Sequence, residues 1–119
     1  MITIYHNPKC GKSRQTLDLI LERTKEVKIV EYLRTPPTKQ DLKNILKKLN
    51  LKAIQIIRTK EKEFQETINK DLSDEELIDL IIHNPILLER PIVTNKESAI
   101  IGRPPENVLK LLKWNKYQY

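Results

Sequence analysis

The chain has 119 residues, of which 39% are apolar and 32% charged, a balance typical of one soluble domain with a modest core. No apolar run reaches the ~18 residues that a membrane span needs, and the N-terminus lacks the features of a signal peptide, so we expect a cytoplasmic protein without a membrane partner. The net charge of +6 is the excess of 22 lysines and arginines over 16 acidic residues. No basic block is interleaved with aromatic residues, which favours a solvated surface over nucleic-acid binding.

The first predicted elements surround the single cysteine, Cys10. Alternation and β-branched residues predict a strand over residues 1–5, and apolar residues at helical spacing predict a helix from Gly11 to about Arg23. Cys10 then lies at a helix N-terminus, where unpaired N–H groups and the helix dipole favour negative charge. We therefore expect the pKa of the Cys10 thiol to lie below its usual value of about 8.5.

The neighbours of Cys10 favour a reactive thiol over the alternative, a buried and inert one. Lys9, Lys12 and Arg14 add positive charge on the same turn. The N–H groups of the helix N-terminus are also suited to binding an oxyanion. The sequence thus predicts that a nucleophile and an anion site share one loop.

A lone cysteine limits the chemistry that the chain can carry out by itself. One thiol forms no internal disulfide, and two distant histidines without clustered cysteines predict no metal site. If Cys10 carries out redox chemistry, the second thiol has to come from another molecule.

The following segment predicts a parallel strand pair and a helical insertion. A second strand over Val27–Tyr32 completes a βαβ unit with a right-handed crossover. In the insertion, Thr38 caps a helix over Asp41–Leu49, and Ser73 begins a helix, in a capping-box pattern, that ends near His83.

The last third of the chain predicts a hairpin and a final helix. Strands over 91–94 and 98–101 are separated by three residues, and Pro104 is placed to open the helix. The element order predicts an α/β protein with the thioredoxin-like (glutaredoxin-like) fold: a mixed four-stranded sheet with helices on both faces and a helical insertion. A cis-proline opens the third strand of that fold, so we predict a cis Arg90–Pro91 bond.

Three arginines lie at the ends of predicted buried elements, where a solvent-facing charge is not the default: Arg58, Arg90 and Arg103. A guanidinium group binds oxyanions through two parallel hydrogen bonds and stays charged. The alternative for each is an ordinary salt bridge, for example between Arg90 and Glu89. Gly102 would let the backbone beside Arg103 approach a ligand.

His6 lies four residues before Cys10, across the predicted turn. Its ring is placed either to donate to the loop and influence thiolate formation, or to fix the turn as a structural histidine. The sequence favours neither alternative.

Together these motifs resemble the glutathione- and glutaredoxin-coupled arsenate reductases. The likeness extends from Met1 to about Lys113 and rests on His6-Asn7-Pro8-x-Cys10-x-x-Ser13-Arg14, Tyr32-Leu33-x-Thr35-Pro36-Pro37, Arg58, His83-x-Pro85-Ile86-Leu87, Arg90-Pro91-Ile92-Val93 and Gly102-Arg103-Pro104. It implies a single domain over residues 1–119.

The resemblance also implies a mechanism. Cys10 would attack arsenate to form a Cys10–S–arsenate adduct, with glutathione as co-substrate, glutaredoxin as reductant, arsenite as product and no bound cofactor. The implied roles are oxyanion binding for Arg58, Arg90 and Arg103, thiol acidity for His6, and support for Ser13, Arg14 and Pro91. We expect a monomer.

Two other functions stay open from the sequence. The same scaffold could carry glutathione-dependent reduction of another small oxidant. It could also serve as a non-enzymatic regulator like the Spx proteins, which share the fold and bind RNA polymerase. Those proteins carry Cys-x-x-Cys, whereas the fourth position here is Ser13.

Overall fold

A computed structural model of the chain describes residues 1–67 and 70–116. The described strands are β1 (Ile2–His6), β2 (Val27–Glu31), β3 (Ile92–Thr94) and β4 (Ala99–Ile101). The described α-helices are α1 (Gly11–Leu21), α2 (Lys39–Leu49), α3 (Lys62–Gln65), α4 (Asp74–His83) and α5 (Val108–Lys116). Short 3₁₀ helices cover Ala53–Ile56, Pro85–Leu87 and Pro105–Asn107.

By its contacts the chain divides into two compact units. The first, here called the sheet unit, combines Met1–Thr35 with Arg90–Tyr119. The second, the inserted unit, is Pro36–Glu89 and corresponds to the predicted helical insertion. None of the described helices is long and apolar enough to cross a bilayer.

The four strands form one mixed sheet in the order β2-β1-β3-β4. β1 pairs with β2 in parallel, Ile4 opposite Ile29, and antiparallel with β3, Ile4 opposite Val93. β3 and β4 form the antiparallel hairpin. The predicted fold class, with its parallel βαβ pair and its hairpin, is therefore confirmed.

The core of the sheet unit lies between the sheet and helices α1 and α5. Alternation along β1 turns Ile2, Ile4 and His6 to the buried face. The apolar members of this core are Ile2, Ile4, Ile20, Val93, Val108, Leu111 and Leu112. Burial of each such side chain contributes about 1.5–3 kcal/mol. On the opposite face of β3, Ile92 is also fully buried, so both faces of this strand are removed from solvent.

The inserted unit is held by helices with strong start signals. Thr38 and Ser73 each accept a hydrogen bond from the N–H three residues on, and both capping boxes are complete, as the sequence predicts for Ser73. Between α2 and α4, Glu75 pairs with Lys39 and Lys43 at 2.8 Å each. These charges are half exposed, so apolar packing contributes more to the unit than they do.

Two element boundaries differ from the prediction near the later site. β1 includes His6, which therefore belongs to the strand instead of the turn. Pro104 is the cap that precedes the 3₁₀ helix Pro105–Asn107, so Pro105 and not Pro104 is the first helical residue. The cis Arg90–Pro91 bond is confirmed, and Arg103–Pro104 is a second cis bond that the sequence analysis did not predict.

Candidate active site

Cys10 caps α1 from an extended conformation, with φ −97° and ψ 122°. A tight turn delivers it from the end of β1: the Cys10 N–H donates to the carbonyl of Asn7 at 3.0 Å. The first helical bond follows at once, from the Arg14 N–H to the Cys10 carbonyl at 3.0 Å. The first turn of α1 has no acidic residue, so nothing negative competes with a thiolate for its N–H groups.

The pKa of Cys10 lies below the ordinary value of a thiol. Partial burial by itself would raise the pKa, but the N–H of Ser13, the hydrogen bonding and charge of the Arg90 guanidinium, and the N–H of Lys12 favour the thiolate and together outweigh burial. The direction agrees with the prediction from the helix N-terminus. The guanidinium that lowers this pKa belongs to Arg90, which lies 80 residues away in the sequence, and not to the neighbouring Arg14.

Arg103 also reaches the thiol. Its Nη2 lies 3.9 Å from Cys10 Sγ, and its Nε donates to the carbonyl of Arg90 at 2.7 Å. Two of the three predicted arginines, Arg90 and Arg103, are thus brought to the sulfur by the two segments that end in cis-prolines. A half-buried thiol with two guanidinium groups beside it is suited to attack on an oxyanion.

Arg58 belongs to the inserted unit. There its Nη1 pairs with Glu61 at 2.9 Å, and its backbone N–H donates to the carbonyl of Leu87 at 2.7 Å. The ion pair corresponds to the salt-bridge alternative considered for each arginine. A role for Arg58 in oxyanion binding stays a prediction.

Gly102 is required by packing. A Cβ at this position would lie 2.7 Å from Thr16 Oγ1 and 2.8 Å from the ring of Pro91. Its N–H also donates to the carbonyl of Pro91 at 2.8 Å. The close approach that glycine permits here is made by Thr16 of α1 and by Pro91. Approach of a ligand to this backbone stays a prediction.

His6 is buried and holds the loop through Ser13. Its Nδ1 lies 2.6 Å from Ser13 Oγ, and the same hydroxyl accepts the Asn7 N–H at 3.0 Å. Burial lowers the pKa of His6, as does Arg14, against the opposing charges of Glu31 and Asp18. A neutral His6 thus fixes the Asn7 turn, and it touches the thiol only through Ser13.

Arg14 secures the same loop from its outer side. Its Nη1 donates to the carbonyl of Pro8 at 2.9 Å. Lys9 adds a second local tie, from its N–H to the side-chain oxygen of Asn7 at 3.0 Å. The loop that carries Cys10 is thus held by hydrogen bonds from or to Ser13, Arg14 and Asn7.

Sequence analysis did not single out Asn107, which supports the Arg103 turn. Its side-chain amide donates to the carbonyls of Arg103 at 3.1 Å and of Ile101 at 3.3 Å. A usable signal was present, because the preceding Pro104 and Pro105 have no N–H and an amide soon after them can replace the missing donors. No group of three potential metal ligands occurs in the described part of the chain.

The comparison with known proteins agrees with this geometry. The ArsC family model matches residues 5–111. An arsenate reductase of Haemophilus influenzae is 42% identical over 93% of this chain and 98% of its own, and the uncharacterized protein YfgD of Escherichia coli is 44% identical over 93% and 96%. The structure of an arsenate reductase from Vibrio cholerae superposes with a TM-score of 0.87 at 39% identity, covering 92% of this chain and 95% of that one. The chain therefore belongs to the ArsC family.

Proposed function

We propose that this protein reduces arsenate to arsenite, with Cys10 as the nucleophile. The observation that carries the proposal is the position of the Cys10 sulfur at the start of α1, 3.9 Å from Nη2 of Arg103, with a pKa that the Arg90 guanidinium lowers. The arsenate reductases of similar sequence support the choice of oxyanion.

In the proposed first step, the thiolate attacks arsenic, and an arsenate hydroxyl takes up one proton from solvent and leaves as water. Arsenic stays in the +5 state, bonded to Cys10 Sγ. Negative charge on the remaining oxygens is stabilised by Arg90 and Arg103, with Arg58 as a third proposed ligand. Groups already fixed in place stabilise such a transition state without reorganisation, and the Arg103–Arg90 carbonyl bond provides that fixation.

Reduction then needs two electrons and a second thiol, which this chain does not contain because Cys10 is its only cysteine. We propose that glutathione adds to the arsenic and displaces a second oxygen as water. A glutaredoxin thiolate then attacks the glutathione sulfur. The electron pair of the broken sulfur–arsenic bond reduces arsenic to +3, and glutathione and glutaredoxin leave as a mixed disulfide.

Hydrolysis of the remaining Cys10–arsenic(III) bond releases arsenite and restores the thiol. This scheme uses a cytoplasmic compartment, since thiols and glutathione stay reduced there. It assigns His6 and Ser13 to holding the loop, and Pro91 to the wall of the site beside Arg90.

A second candidate is glutathione-dependent reduction of another small oxidant by the same thiol. It is favoured by YfgD, a relative of comparable similarity whose description names no substrate. A regulator of the Spx type is less favoured, because the fourth position of its Cys-x-x-Cys pattern is here Ser13, fully buried and bonded to His6.

The test is an assay with arsenate, glutathione, glutaredoxin, glutathione reductase and NADPH. We expect arsenate-dependent NADPH oxidation by the wild-type protein and none by Cys10→Ser. Arg23→Ala, a change of an exposed arginine at the end of α1, serves as the matched control and should retain full activity. If the wild type oxidises no NADPH with arsenate but does so with another oxidant, the second candidate is correct.

A further inference from the structure

The turn that carries Arg103 has few backbone donors of its own. It connects β4 with α5 and contains Pro104 and Pro105, neither of which has an N–H. The Gly102 N–H is used on the carbonyl of Pro91, and the Arg103 N–H donates back to the carbonyl of Ile101 at 2.9 Å. Further hydrogen bonds to the carbonyls of this turn therefore have to come from side chains or from the next residues.

Asn107 supplies these bonds. Its side-chain amide donates to the carbonyls of Arg103 and Ile101, and its backbone N–H donates to the carbonyl of Pro104 at 3.0 Å. One residue thus donates hydrogen bonds to three carbonyls of the turn, from Ile101 before Arg103 to Pro104 after it. An asparagine NH₂ group has two hydrogens, which matches the two carbonyls that it contacts.

This turn also fixes the direction of the Arg103 side chain. Nε donates to the Arg90 carbonyl at 2.7 Å, and Nη2 points to Cys10 Sγ at 3.9 Å. The Nε bond leaves the guanidinium group little freedom to reorient. A shift of the Arg103 backbone would therefore change both distances, to the Arg90 carbonyl and to Cys10 Sγ. A displacement of the turn by about 1 Å is large enough to reduce catalysis by about a hundredfold.

We propose that Asn107 is a positioning residue, which holds Arg103 against the Cys10 thiol and thereby sets the affinity of the site for oxyanions. The inference rests on the proposed function only in the choice of arsenate as the probe. Asn107 acts through Arg103 and makes no contact of its own with the sulfur among the described hydrogen bonds.

The experiment measures how well arsenate protects Cys10 from alkylation by iodoacetamide, at fixed pH and without glutathione. It compares the wild type, Asn107→Leu, Arg103→Ala and the double variant. Leucine has nearly the shape of asparagine but no donors. We expect Asn107→Leu to weaken protection about tenfold, because the charged hydrogen bond from Arg103 to the bound oxyanion would be disturbed. In the Arg103→Ala background the same change should alter protection less than twofold.

Asn84→Leu is the matched control, because its amide also donates to a backbone carbonyl four residues earlier, that of Leu80 at 3.1 Å in the inserted unit. It should leave protection unchanged even where it lowers the melting temperature. If Asn107→Leu does not fold, Asn107→Ala replaces it, since the smaller side chain cannot clash.

Two results would overturn the inference. One is unchanged protection in Asn107→Leu; the other is an equal loss in the presence and absence of the Arg103 guanidinium, which would make Asn107 merely structural. Failure of the proposed function looks different: arsenate would then fail to protect Cys10 in the wild type, and inorganic phosphate used as a second probe of the same site would show whether Asn107 still positions Arg103.

Discussion

The N-termini of α1 and of α2 and α4 are built in opposite ways. α2 and α4 begin with Thr38 and Ser73, whose side chains accept backbone N–H groups, while Asp41 and Glu76 close the capping boxes. α1 begins after Cys10, a residue type that is not a preferred cap, and has no acidic residue in its first turn. Every helix start has unsatisfied N–H groups. Capping boxes satisfy them in α2 and α4, whereas α1 has no such box and begins beside the Cys10 thiol.

The difference separates stability from reactivity. A capping box uses up the N–H groups of the helix start and stabilises the fold. At α1 the N–H groups of Lys12 and Ser13 instead lower the pKa of Cys10 and so favour its thiolate. Sites of this kind commonly sacrifice stability for function. Variants at the two kinds of helix start can test this difference.

The largest effect should come from Cys10→Ser. We expect the loss of at least about a thousandfold in arsenate turnover, because the nucleophile is removed. Serine is a preferred cap, and Cys10 already has the extended conformation of a cap. At a pH below the folded-state pKa of Cys10, the free energy of unfolding should therefore rise by about 0.5–1 kcal/mol. Activity assays and urea denaturation measure the two quantities; a less stable variant would contradict the contrast between the helix starts.

Arg90→Ala should reduce turnover by about a hundredfold to a thousandfold, since it removes a fixed donor to the developing negative charge. Stability should fall much less in relative terms. Arg23→Ala, at an exposed site near the end of α1, controls for the loss of one positive charge. Steady-state kinetics and thermal melts decide the matter, and comparable losses in both would show that Arg90 has only a structural role.

Ser73→Ala tests the other kind of helix start. Removing the cap of α4 should lower the free energy of unfolding by about 1 kcal/mol. Turnover at a temperature where the variant is folded should stay at the wild-type level. A drop in turnover without unfolding would show that the start of α4 also serves the reaction.

The smallest expected effect is the pH dependence of the free energy of unfolding. The folded-state pKa of Cys10 lies below that of the unfolded chain, so thiolate formation contributes stability that is complete above the unfolded pKa of about 8.5. This contribution is lost as the pH falls through the folded pKa. The difference in unfolding free energy between wild type and Cys10→Ser should therefore shift in favour of the wild type as the pH rises through that window.

Alkylation gives the same pKa directly. The rate of reaction with iodoacetamide should reach half its maximum below pH 8.5 in the wild type. In Arg90→Ala the midpoint should lie at higher pH, because a hydrogen bond and a charge that favour the thiolate are gone. A midpoint that does not move would assign the low pKa to the helix N–H groups alone.

The sequence by itself was sufficient for features with local causes. The Ser73 capping box lies within four consecutive residues, and the position of Cys10 after β1 follows from a short strand, a turn and a helix start. The cis bond before Pro91 was predicted from the order of the elements, which identified the fold. In each case the signal and the structure that it specifies lie close together in the chain, or in the order of its elements.

The resemblance named Arg90 and Arg103 for the site, but only the tertiary structure gave the distance of Arg103 from the thiol and its bond to Arg90. Arg103 lies 93 residues from Cys10, and no periodicity in the sequence fixes a distance of 3.9 Å between their side chains. The packing of Gly102 against Thr16 and Pro91 likewise arises from three separate elements. Caps and turns depend on neighbours in the chain, so the sequence located the nucleophile. Long-range contacts depend on how helices and strands pack, so the geometry of the charges beside the thiol came only from the folded sheet unit.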